Sequence, residues 1–109
     1  MKKVNVLGTE YTIIESSVDK DAKLDNQDGY CDTSIKVCVV DGMKTTDNQA
    51  KANLPEYKKS VIRHELIHAF LYESGLDGSA YWAVSEEMID WLAIQFPKLL
   101  QAFKDADCV

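Results

Sequence analysis

The chain has 109 residues and a formal net charge of −6. That length suits a single domain, 1–109, with a modest core. An acidic balance with no basic stripe excludes nucleic acid as an expected partner.

Residues 1–42 read mainly as strands. Residues 4–7, then Gly8-Thr9, then 10–15 have the pattern of a β-hairpin. Residues 17–29 are polar and acidic, with a turn signal at Asp28-Gly29, and read as a surface loop. Residues 34–40 alternate Ile35, Val37 and Val39 against Lys36, Cys38 and Val40, and end at Asp41-Gly42, which predicts a third strand. Residues 43–53 have no clear period and read as a loop back to the first helix.

A first helix is expected over 54–75. Residues 57–74 carry no Gly or Pro. Pro55 suits the first turn, Asn53 or Leu54 the cap, and Gly75 the stop. The helix holds His64-Glu65-Leu66-Ile67-His68, which includes both histidines of the chain. Side chains four apart share a helix face, so one divalent cation can be gripped by both imidazoles. Glu65 between them can hold a water rather than the metal, which makes it the candidate general base. Val61, Leu71 and Tyr57 fall beside the histidines; Ile62, Leu66, Ala69 and Phe70 fall opposite. The segment is apolar nearly all round after Lys59, so a buried helix is expected. Two His and a Glu in such a place need partners. A metal supplies them; the alternative is a pair of core histidines bonded to backbone carbonyls.

A second helical region is expected over 80–104, after a turn marked by Gly75 and Gly78. Ser85-Glu86-Glu87 opens or continues a helix there that is expected to reach about Phe96, before Pro97. A catalytic zinc takes three protein ligands. With no third His and no CxxC pair, a carboxylate is the expected third. Met88, Ile89, Leu92 and Phe96 cluster on what should be the core face. Glu86 borders that face and is preferred to Glu87, although both remain open. Both also fit as ordinary first-turn acids under a Ser85 cap. Asp90, one turn beyond Glu86, can accept the free N–H of a ligand histidine.

His64-Glu65-x-x-His68 followed by Glu86-x-x-x-Asp90 resembles the gluzincin metallopeptidases, and the length resembles their minimal, single-domain members. The segment 63–97 also resembles small HExxH proteins encoded in bacteriophage genomes. The resemblance implies zinc on His64, His68 and Glu86, Glu65 as base, and Asp90 orienting a ligand histidine. It covers about a third of the chain. The further His or Tyr with which larger members stabilise the oxyanion has no match by motif here. In the family an edge strand beside the zinc pairs with extended peptides, and residues 34–40 are the candidate for it. Small members also use a C-terminal tail as a plug; for residues 104–109 the simpler expectation is a disordered tail.

Together these readings predict an α+β chain: a small antiparallel sheet of about three strands, followed by an active-site helix and a second, glutamate-bearing helix. The expected function is hydrolysis of peptide bonds by a zinc-activated water, with Zn²⁺ as cofactor and a peptide or protein as substrate. The alternative is a non-catalytic, zinc-stabilised protein-interaction module. A monomer is expected. No apolar run is long enough for a membrane span, and no apolar h-region follows Met1-Lys2-Lys3. Three cysteines without a CxxC pair (Cys31, Cys38, Cys108) suit a reducing compartment, so the expected location is cytoplasmic. A Cys31–Cys38 disulfide is the less favoured reading of that pair, after two small buried residues.

Overall fold

The computed structural model describes residues 1–43 and 52–109. Most of the loop expected over 43–53 lies outside the described residues. The architecture is α+β: a four-stranded mixed sheet and two long helices.

Strands β1 (Lys2–Val6) and β2 (Thr9–Ser16) pair antiparallel through the two-residue loop Leu7-Gly8. Both loop residues have positive φ, 51° and 92°. That is the backbone twist of the tight hairpin turns that match right-handed strands. Asn5 Oδ1 accepts from the Gly8 N–H at 2.8 Å and closes the turn.

The next two strands depart from expectation. Gly29–Asp32 is a strand, β3; Gly29 was expected to end a loop in a turn, and 30–32 had no expected element. Val37–Asp41 is β4, and it pairs antiparallel with β3 and parallel with β2. The sheet order is β1-β2-β4-β3. The polar connection after β2 therefore sets β3 down one strand position away, and the β3–β4 hairpin folds back into the gap. The sheet is mixed rather than antiparallel. The strand read from residues 34–40 is central, not an edge; the edges are β1 and β3.

Helix α1 (Leu54–Glu73) starts and stops where its signals place it. Asn53 Oδ1 accepts from the Glu56 N–H at 3.4 Å, Pro55 sits in the first turn, and Gly75 closes the helix at φ 80°. Such a side-chain cap typically stabilises by about 1 kcal/mol. One side of α1 meets the sheet, where Val6, Tyr11, Ile13, Cys38 and Ala69 form a buried cluster flanked by Ile62 and Leu66. Another side meets the second helix region through Leu71, Ala83 and Ile89, flanked by Ile67. The expected all-round burial is not found: Phe70 and Tyr72 are exposed. Glu73 ties the end of α1 to the sheet by accepting from Tyr11, Thr9 and Lys36 at 2.7, 3.1 and 2.9 Å. Those donors hold its carboxyl below the usual carboxylate range, the Tyr11 hydroxyl most of all.

Helix α2 (Glu86–Asp105) is capped by Ser85, whose Oγ accepts from the Met88 N–H at 3.3 Å. Its core face is Ile89 and Ala93; Met88 and Phe96, expected on that face, are exposed. Pro97 lies inside the helix and does not end it. At the far end Asp107 takes φ 56°, and the N–H groups of Asp107 and Cys108 bond to the carbonyls of Lys104 and Phe103. This is a Schellman cap, so residues 104–109 finish a helix rather than trail as a tail or fold back as a plug.

Candidate metal centre

The four-residue spacing on α1 aims both imidazoles at α2, which lies alongside. His64 Nε2 and His68 Nε2 are 3.2 Å apart, and the rings are tilted by 58°. Glu86, in the first turn of α2, completes the group. Its Oε2 lies 2.9 Å from His64 Nε2 and its Oε1 lies 3.0 Å from His68 Nε2. One ligand atom from each residue lies within 4.8 Å of the others, so the three could hold a metal ion. Among the described residues no cysteine and no second glutamate joins them. The choice between Glu86 and Glu87 therefore falls to Glu86, as the helical-face argument favours.

Asp90 sits one turn along α2 with its Oδ1 3.2 Å from His64 Nδ1. A carboxylate there favours the tautomer with the proton on Nδ1 and the lone pair on Nε2. Burial pushes His68 below the usual imidazole range, against the pull of Glu86. The contact between His68 and Glu86 is therefore not a charge pair near neutral pH. Two imidazole nitrogens and the Glu86 carboxylate thus face one another, an arrangement that a cation would stabilise.

Glu65 differs from its neighbours. It is 7% exposed, while the Glu86 side chain is 69% exposed. Burial raises its carboxyl to about 7, Glu86 adds to the rise, and His64 opposes it. β3 makes this pocket. A Cβ added to Gly29 would lie 2.9 Å from the Val39 carbonyl oxygen, 3.1 Å from Val61 Cγ1 and 3.4 Å from Glu65 Cγ. Only glycine lets the edge strand approach α1 so closely.

Two cavities meet at this group. One of about 770 Å³ is lined by Asp28, Tyr57, Arg63 and Ile94 among others, and one of about 490 Å³ by Tyr30, Cys31, Tyr72 and Asp77. His64, Glu65, Glu86 and Gly29 line both. Sequence reasoning missed β3, because Asp28-Gly29 reads as a turn. It also missed Asp77, whose charge acts on His68. A glycine at a close strand–helix approach is the one signal that could have revealed β3.

Comparison with known proteins found no matching family model, no similar curated protein and no similar solved structure. Among the described residues, no helix is long and apolar enough to cross a membrane.

Proposed function

We propose that this chain is a zinc-dependent peptidase of gluzincin-like design. The observation that carries the reading is the convergence of His64 Nε2, His68 Nε2 and Glu86 beside a buried, unusually basic Glu65. The donor set fits the ion. Zinc bonds of about 2.0–2.1 Å in tetrahedral array put neighbouring donors about 3.3 Å apart. The two imidazole nitrogens, 3.2 Å apart, come close to that, and one Glu86 oxygen lies 2.9 Å from His64 and the other 3.0 Å from His68. Two imidazoles and a carboxylate are also a donor set that catalytic zinc takes. When bound, zinc polarises a carbonyl and makes water acidic near neutral pH.

The chain's own residues supply the rest. Glu65 accepts a proton from the attacking water and passes it to the leaving amine. Burial raises that carboxyl in the ion-free site, and a bound cation would pull it back down. Asp90 holds the His64 ring by its Nδ1. The edge strand β3 is a place for an extended peptide to pair, since Gly29, Tyr30 and Cys31 line the cavities that also reach His64 and Glu65. This replaces residues 34–40 as the substrate strand.

A non-catalytic zinc module would need a fourth protein ligand to close the site. The three-member donor group among the described residues favours the catalytic reading instead. The test is zinc-loaded protein incubated with an unfolded protein substrate, with products read by mass spectrometry. Wild type should cut it, and Glu65→Gln should keep zinc yet lose at least about 100-fold in rate. Equal cleavage by both proteins, or none by either, would sink the reading.

A further inference from the structure

Cys31 on β3 and Cys38 on β4 are direct register partners in the antiparallel pair. Both are free thiols, with their Sγ atoms 3.8 Å apart. Direct partners in such a ladder have Cα atoms about 4.5 or 5.5 Å apart. Disulfides accept about 4.4–6.8 Å. The backbone is thus already placed, and joining the sulfurs needs only side-chain rotation and a small strand adjustment. The two thiols are unequal in access. Cys38 is fully buried, whereas Cys31 is half-buried and lines the cavity shared with Glu65 and His68.

We propose that Cys31 and Cys38 form a reversible dithiol site that exchanges with small-molecule disulfides, Cys31 attacking first and Cys38 resolving. The Cys31 thiolate attacks one sulfur of the small disulfide. A Cys31 mixed disulfide forms, and one small thiol leaves. Cys38 then attacks Cys31 Sγ and expels the second small thiol, the Cys38 proton passing to that departing sulfur. Two protein S–H groups become one S–S bond, and the small disulfide is reduced to two thiols. The hydrogen bond from the Cys38 S–H to Cys31 Sγ supports this order, because it holds the Cys31 thiol below its usual range and raises Cys38. The inference does not rest on the peptidase reading.

The test uses the full chain carrying Cys108→Ser, which removes the exposed third thiol and leaves the fold untouched. The protein is treated with millimolar oxidised glutathione, alkylated, and read by intact mass and peptide mapping. The expected product is lighter by two hydrogens, links Cys31 to Cys38, resists alkylation, and reverts with dithiothreitol. A second variant, Cys38→Ala in the same background, should trap glutathione on Cys31 at least about tenfold longer. Two thiols that stay alkylatable, or a glutathione adduct that persists with Cys38 present, would overturn the proposal. The first protein decides the matter even if Cys38→Ala does not fold.

Discussion

Arg63 on α1 donates from its Nε to the main-chain carbonyl of Ala93 on α2, at 2.6 Å. Ala93 is the residue four before Pro97, and Pro97 has no N–H with which to satisfy that carbonyl. A guanidinium next in sequence to His64 thus repairs the gap that a proline opens in the helix carrying Glu86 and Asp90. The same bond fixes α2 against α1 near the metal-competent group.

Arg63→Met should destabilise by about 1–3 kcal/mol, because it leaves a helix carbonyl without its charged donor. Pro97→Ala in that background should recover part of the loss, since residue 97 then bonds Ala93 itself. Thermal unfolding of the two single variants and the double variant checks this. Additive effects would contradict the coupling.

Much of the candidate site was legible because helix signals are local. The 64/68 spacing, the Asn53 cap, Pro55, the Gly75 stop and the position of Glu86 each depend on a few neighbouring residues, and each reappears in the structure. Strand order is not local. Nothing within residues 37–41 says that their partner on one side is β2 in parallel, because the alternation of a short strand does not name its neighbours. Pro97 misled for the same reason: its repair lies on Arg63, in another element. Met88 and Phe96 share an apolar face with Ile89, but α1 covers only the part of it near Ile89 and Ala93.

Asp90→Asn should weaken zinc binding about 10–100-fold, the usual cost of losing a carboxylate behind a ligand histidine. Competition with a zinc-responsive chelator measures it. The fold should survive, because the Asp90 side chain is 60% exposed.

The metal-free protein should show a pH-dependent cost from Glu65. Its folded carboxyl sits at about 7, above the ordinary value. Below about pH 4 the group is protonated whether folded or unfolded, and no difference arises. As pH rises the unfolded chain ionises first, so stability falls until the folded value is passed. Chelator-treated Glu65→Gln should therefore match wild type near pH 4 and exceed it by about 2–3 kcal/mol near pH 8. Urea melts at both pH values test the sign.

Gly29→Ala should separate β3 from α1. The added methyl meets the Val39 carbonyl oxygen at 2.9 Å, a backbone atom that cannot turn aside. A loss of about 1–3 kcal/mol is expected. Peptide cleavage should fall by more than the unfolded fraction explains, because Glu65 is displaced as well. Unchanged melting would contradict the close approach.

The most direct test of the account is native mass spectrometry of the zinc-equilibrated protein. Wild type and Glu65→Gln should each carry one zinc. His68→Ala and Glu86→Ala, shown folded by circular dichroism, should carry none. Wild type without zinc, or zinc retained in full by both ligand variants, would contradict the assignment of His64, His68 and Glu86 as the metal centre.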